Sequence, residues 1–140
     1  MLLTELLHPE MLSALAAAGH GGRVLITDGH YPGSTAVGPN ARTVHLNLAP
    51  GLMDVSTVLD VLLRAVPVES AMVMVPPPEQ PDPEAIEAHR RRLEPVVPDR
   101  IDRFAFYAQA RSEDLALAVI TADTRTYANI LLTIGVRSTH

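Results

Sequence analysis

The chain contains no cysteine. Disulfides, thiol nucleophiles and thiolate metal sites are therefore excluded. It contains no lysine either, since all 11 basic residues are arginine. Schiff-base catalysis, a pyridoxal phosphate linkage and a lysine-bearing phosphate loop fall with it. Aromatic residues are scarce, 3 tyrosines and 2 phenylalanines, and the formal charge is −5. No basic cluster is interleaved with aromatics, so the electrostatic footprint of a nucleic-acid binder is missing. No apolar run approaches the roughly 20 residues of a membrane span, and Met1-Leu2-Leu3-Thr4-Glu5 lacks the basic start of a signal peptide. The expectation is a soluble, cytoplasmic protein with neither nucleic acid nor membrane as partner. Histidine, carboxylate, tyrosine and arginine chemistry remains.

What is present is apolar. Hydrophobic residues make up 47% of the 140 residues and charged ones 19%. A chain of this length forms one domain with a real core, here expected over residues 1–140, and domains of about 150 residues bury roughly 70% of their unfolded surface. The apolar excess beyond that core predicts burial between subunits.

Gly19-His20-Gly21-Gly22 runs into the apolar Arg23-Val24-Leu25-Ile26-Thr27 and then Asp28-Gly29-His30. This predicts a buried strand bounded by two tight loops, each carrying ionisable groups. Upstream, proline and glutamate after His8, with Met11, Leu12, Leu15 and Ala16 at helical spacing, predict a helix over 9–18 that Gly19 stops, with His8 in its cap. Residues 31–40 are dense in turn formers and read as a loop over the site. Further strands are expected over 42–48, 71–75, 115–121 and 130–136. Helices are expected after Asp54, running to Leu63, and after Asp82-Pro83-Glu84, running to Leu93. Arg90-Arg91-Arg92 on the latter reads as a solvated face. Period alone leaves 103–108 open between a strand end and a helix closing near Arg111. Strands alternating with helices argue for an α/β fold with a mostly parallel sheet covered on both sides.

Each candidate group has a plainer alternative beside it. The glycines around His20 do not make a phosphate loop, because such loops follow a strand and open a helix. His20 is either an unemployed turn histidine or a proton carrier. Asp28 either makes an Asx turn with Gly29 or meets a ligand, and His30 shares that choice. A metal held by Asp28, His30 and His20 matches no standard ligand spacing, so no metal or other cofactor is expected. Tyr127 and Asn129 stand two apart; in an extended chain both point one way and offer a phenol and an amide to hydroxyl groups. Otherwise Tyr127 packs under the sheet and Asn129 makes a turn. Arg103, beside Phe104 and Tyr107, binds a ligand or covers core aromatics with its stem. His45 and His89 read as ordinary strand and helix residues.

Together these stretches resemble the RbsD/FucU family of sugar mutarotases and pyranases, collinearly over essentially the whole chain. The likeness rests on Gly19-His20-Gly21, Asp28-Gly29-His30 with Pro32, Arg103-Phe104-Ala105-Phe106-Tyr107, and Tyr127-Ala128-Asn129-Ile130 with Gly135-Val136. It implies a three-layer α/β/α sandwich and a ring-like homo-oligomer, commonly a decamer, with sites between neighbouring subunits. It also implies His20 as proton donor and Asp28, Arg103, Tyr127, Ala128 and Asn129 as sugar-binding positions, with His30 and Tyr107 beside them. An arginine followed by Phe-Ala-Phe-Tyr resembles the fucose branch, where the ribose branch has histidine, so L-fucose is the expected substrate. Asp102 departs from the asparagine of the bacterial fucose enzyme and is in position to pair with Arg103. A D-ribose pyranase, a non-catalytic sugar-binding transport accessory and a metal-dependent hydrolase are the alternatives.

Overall fold

Residues 1–139 are described by this computed structural model. They form, in chain order, α1 (Pro9–Ala18), β1 (Arg23–Thr27), β2 (Arg42–His45), α2 (Val55–Leu63), β3 (Val68–Met74), α3 (Glu84–Leu93), β4 (Asp99–Ile101), α4 (Arg103–Ala110), β5 (Leu115–Ile120) and β6 (Ile130–Ile134). The six strands make one sheet in the order β2-β5-β1-β6-β3-β4. Three of its pairings are parallel, and β6 runs antiparallel to both β1 and β3. The mostly parallel sheet expected from the sequence is present, with one reversed strand at its centre.

Strand alternation divides the core. Val24 and Ile26 of β1 face Met11, Val58, Leu62, Ile86 and Leu93, side chains of α1, α2 and α3. Leu25 and Leu131 face the other way, onto Phe106 and Ala110 of α4 and onto Tyr31 and Ala36 of the loop after β1. Three layers result, as the resemblance implies, with the second face covered by one helix and a loop. Each fully buried aliphatic side chain contributes about 1.5–3 kcal/mol, and a one-residue slip would exchange the two sets, so the register is strongly specified.

Helix ends follow the residues that start and stop them. The His8 Nδ1 accepts the Met11 N–H at 3.3 Å, Asp54 accepts from Thr57 N–H at 2.8 Å, and Gly19 takes a positive φ of 72° just past α1. Asp102 accepts from the Phe104 and Ala105 N–H groups at 2.9 and 3.0 Å, so it caps α4 rather than pairing with Arg103. Asp82 departs from its expected capping role. α3 begins at Glu84 with no side-chain cap, and the Asp82 carboxylate instead takes both terminal nitrogens of Arg100 at 2.7 and 2.9 Å. The arginine triplet of α3 is spent on Glu87, Glu94 and Asp60, which bears out the solvated-face reading.

Strand limits shift for local reasons. β2 stops at His45 because the chain then turns, Leu48 N–H donating to the Leu52 carbonyl at 2.8 Å. β3 starts three residues earlier than the apolar run at 71–75, carried by pairing with β6. The three-residue β4 was not predicted, and it passes into α4, so the segment after Arg103 is helical.

The loop over the second face closes tightly on α4. Gly38 N–H donates to the Ala110 carbonyl at 2.9 Å, and a Cβ on Gly38 would overlap the backbone carbonyl oxygen of Ser112. Backbone, unlike a flexible side chain, does not yield cheaply. Gly38→Ala is therefore expected to cost stability at the upper end of the about 1–3 kcal/mol of overpacking, read as a lower midpoint in urea unfolding.

Candidate functional site

At the carboxyl end of β1 the chain leaves the sheet through Asp28-Gly29-His30. A cavity of 220 Å³ opens there, lined by Asp28, His30, Tyr31, Met74, Arg103, Tyr107, Thr126, Tyr127 and Asn129. That is below the ~300–1,000 Å³ of sites for drug-sized ligands and suits something smaller. Six of the eight candidate residues line this one cavity, brought together from β1, α4 and the segment before β6.

Asp28 is 2% exposed. Its Oδ1 accepts the His30 N–H at 3.0 Å, the Asx turn anticipated above, and its Oδ2 accepts the Ala128 N–H at 3.4 Å. Burial pushes the carboxyl above its ordinary range, against the opposing pull of those N–H groups and of His30. An acidic group held dry, with lone pairs still unspent, is placed to accept hydroxyl hydrogens. One side chain thus both closes the turn and lines the cavity.

Asn129 Oδ1 accepts the Asp28 backbone N–H at 2.8 Å, which ties the end of β1 to the start of β6. Its Nδ2 has only the Met74 sulfur, at 3.8 Å, so the amide hydrogens are left for a ligand. Tyr127 and Asn129 do share the cavity, but not through an extended chain. Tyr127 sits at φ 55°, a left-handed conformation costly for a tyrosine, which turns its ring into the site. Ala128 contributes through its backbone: the methyl is buried, the N–H reaches Asp28, and the carbonyl meets His89 Nε2 at 2.8 Å.

That makes His89 more than an ordinary helix residue. It is fully buried in α3, its Nδ1 has no partner, and burial pushes its pKa below the ordinary histidine range. The neutral ring with Nε2–H donating to Ala128 satisfies both facts.

Arg103 is the exposed first residue of α4. Its guanidinium lies 4.7 Å from the Phe104 ring centroid and has no carboxylate within ion-pairing distance among the described residues. A cation with no carboxylate partner among the described residues thus stands in the lining of the cavity, over an exposed aromatic ring. Of the aromatics, Phe106 is core and Phe104 is exposed. Tyr107 and Tyr31 supply the wall, packed edge to face at 5.3 Å between centroids. The Tyr31 hydroxyl donates to the Ala36 carbonyl at 2.7 Å, and its pKa is pushed up beyond the phenol range by burial.

A second set of contacts holds the segment before β6. Asp123 accepts the Val55 N–H at 2.9 Å and takes Arg125 through backbone and side chain at 2.8–3.1 Å, while Arg125 also donates to Ser56 Oγ at 2.9 Å. The Gly29 N–H donates to the Asp123 carbonyl at 2.9 Å. Asp123 thus anchors the cavity-forming loop to α2 through its carboxylate and to the Asp28 turn through its backbone carbonyl. Sequence reading passed over Asp123, Arg125, Tyr31, Met74 and Thr126. The Asp-Thr-Arg run directly after an apolar strand was the available signal.

His20 is elsewhere. It lies with Gly21, Gly22, Arg42 and Asp114 along an open cleft of 610 Å³ at the amino end of β1. Its Nε2 is 3.0 Å from Glu69 Oε2. Five residues of strand at ~3.3 Å each put roughly 17 Å between this end and Asp28. Within one chain, then, His20 meets none of the other candidates. No group of three or more metal-ligating side chains occurs among the described residues. Nor is any helix among them long and apolar enough to cross a membrane.

The whole chain superposes on Bacillus subtilis RbsD complexed with D-ribose, with a TM-score of 0.83 at 21% identity, over 99% of this chain and 100% of that one. It is likewise similar to the Streptococcus pneumoniae fucose mutarotase in complex with L-fucose (TM-score 0.80, 22% identity, 94% of both chains). FucU from Bifidobacterium longum gives a TM-score of 0.79 at 24% identity, over 94% of this chain and 97% of that one. The shared architecture is thus the three-layer fold around this sheet. Residues 1–137 match the RbsD / FucU transport protein family, and the chain belongs to it.

Proposed function

We propose that the protein is a sugar mutarotase, interconverting the α and β anomers of a free monosaccharide, L-fucose first among them, by acid–base ring opening and closure. The observation that carries this reading is the Asp28 cavity. A buried carboxylate, a spare amide, three phenol rings and an unpaired guanidinium converge on a volume suited to one sugar ring. Such a set offers acceptors and donors to hydroxyls and an apolar wall to a C–H or methyl face.

Anomer exchange needs only proton movement. The anomeric hydroxyl loses its proton to water at the open mouth, its electron pair forms the carbonyl, the bond from C1 to the ring oxygen breaks, and that oxygen takes a proton from His20. Rotation about C1–C2 and the reverse steps give the other anomer. Asp28, Arg103 and Asn129 hold the ring while this happens. A positioned acid or base contributes about 10²- to 10⁴-fold. Because His20 and Asp28 occupy opposite ends of β1, a working site takes its His20 from a neighbouring copy. Exposed Leu48, Leu52 and Met53 supply apolar surface for a ring-like homo-oligomer.

The experiment is magnetisation transfer between anomer resonances of L-fucose, D-ribose, D-galactose and D-glucose with and without protein. L-fucose is expected to exchange fastest, and His20→Ala is expected to slow it by the factor above. Exchange at the buffer rate for every sugar would remove the enzyme, and binding without exchange would leave a transport accessory. D-ribose is the second reading, supported by the likeness to the ribose-complexed RbsD. Faster pyranose–furanose exchange of ribose than anomer exchange of fucose would favour it.

A further inference from the structure

The cavity is lined from the loop after β1, from β3, from α4 and from the segment before β6, and α3 gives it no residue. One side chain of α3 reaches it nonetheless. Ala85, His89 and Leu93 follow one another at a spacing of four and form one buried stripe of that helix. Alanine and leucine do there what packing requires. The imidazole does not: it is fully buried, only Nε2 is bonded, and Nδ1 is an unsatisfied polar atom that a hydrocarbon side chain would not have buried. What His89 supplies in return is a single donor, 2.8 Å from the Ala128 carbonyl. Ala128 stands between Tyr127 and Asn129, which both line the cavity, and its own N–H lies 3.4 Å from Asp28 Oδ2. β6 pairs with its neighbours only from Ile130 onward, so no strand ladder fixes this turn, in which Tyr127 takes its left-handed φ of 55°. The bond from His89 stands in the ladder's place.

From this geometry we infer that His89 is a positioning residue of the sugar site, acting from the opposite layer of the sheet: by holding the Ala128 carbonyl it sets the turn that presents Tyr127 and Asn129 and keeps the Ala128 N–H on Asp28. α3 packs with α1 and α2 on one face, while Tyr31, Met74 and Tyr107 of the cavity pack on the other, so the ring itself touches no sugar. Binding groups are held to useful precision only when the residues behind them are fixed in turn. Loss of the donor loosens Tyr127, Asn129 and Asp28 together and leaves His20, at the far end of β1, as it was. The effect therefore falls on sugar affinity rather than on proton transfer. The inference rests on reading the cavity as a sugar site, but the hydrogen bond and the turn can be followed with no sugar present.

The test compares the intact protein with His89→Leu, which keeps an apolar side chain but cannot donate, and with His89→Gln, whose amide N–H reaches about as far as Nε2. Wild type with ¹⁵N-labelled histidine is expected to show, for the ring signals lost in the variants, a neutral imidazole carrying its hydrogen on Nε2; the hydrogen on Nδ1 would overturn the inference by itself. Without sugar, solvent exchange of the Ala128 amide hydrogen is expected to quicken about 10-fold in His89→Leu while those of Leu131 and Leu132 keep their rates. In L-fucose anomer exchange, His89→Leu is expected to raise KM about 10-fold with kcat within about twofold of wild type, and His89→Gln to recover most of the loss. A His89→Leu KM within about twofold of wild type, an unaltered Ala128 amide, or a His89→Gln no better than His89→Leu would overturn the assignment. A lower urea midpoint with KM unchanged would mean that the ring only packs. Were wild type to exchange no sugar at all, the mutarotase reading would fall, and the Ala128 amide would still decide whether His89 holds the turn.

Discussion

Co-expressing His20→Ala with Asp28→Asn is expected to yield mixed oligomers that recover about one quarter of wild-type anomer exchange, although each variant alone is strongly impaired. The argument begins with the length of β1, whose five residues keep His20 and Asp28 roughly 17 Å apart in one chain. If each site combines the His20 loop of one copy with the cavity of the next, random equal mixing leaves half the loops and half the cavities intact. They coincide at about one interface in four. His20→Ala alone removes the about 10²- to 10⁴-fold contribution of the acid–base group. Asp28→Asn keeps the oxygen that accepts the His30 N–H but loses the charge facing the cavity. Recovery measured by magnetisation transfer, against equal amounts of each variant purified separately, checks the point. No recovery from verified mixed oligomers would mean that the two groups do not work across an interface.

Asp123→Asn is expected to cost about 3 kcal/mol of stability, seen as a lowering of Tm by roughly 6–12 °C at neutral pH. The carboxylate is 2% exposed and takes Arg125 and the Val55 N–H, so the substitution removes the charge opposite a part-buried guanidinium and leaves one oxygen where two accepted. Burial alone would push the Asp123 pKa up. The Arg125 side chain and backbone and the Val55 N–H outweigh it and hold the group below the ordinary carboxylate range. A depressed pKa contributes stability that is fully present above the unfolded carboxylate value and is lost as pH falls through the folded one. The gap between wild type and Asp123→Asn is therefore expected to hold from pH 7 to about pH 5 and to close below about pH 4. A gap independent of pH would mean that shape, rather than charge, is what the substitution removes.

Much of the architecture was legible because apolar periodicity is a local signal. The helix over 9–18, the strand at 23–27 and the Asp54 cap follow from nearest-neighbour rules, and the order of strands and helices gave the layered sheet. That Asp28, Arg103, Tyr107, Tyr127 and Asn129 would be gathered in one place was legible too, carried by the family likeness, and they line one cavity. What did not read through depends on partners distant in the chain. Asp82 looked like a cap, but Arg100, eighteen residues on, took its carboxylate. β4 is three residues beside a proline and is ordered by β3. His89 acquires its purpose from the Ala128 carbonyl, 39 residues on. Tyr127 and Asn129 reach the same cavity through a left-handed turn that period-two reasoning does not contain.

The reversed strand at the centre of the sheet has a consequence for synthesis. β6 follows every other strand in the chain yet lies between β1 and β3. Until residues 130–134 leave the ribosome, β1 and β3 each present an apolar edge with unanswered amide and carbonyl groups, an invitation to pair with another nascent copy. Both halves of the sheet must therefore wait, unjoined, for one late segment. Long-range closures of that kind slow folding, and they make the emerging chain a natural client for holding chaperones.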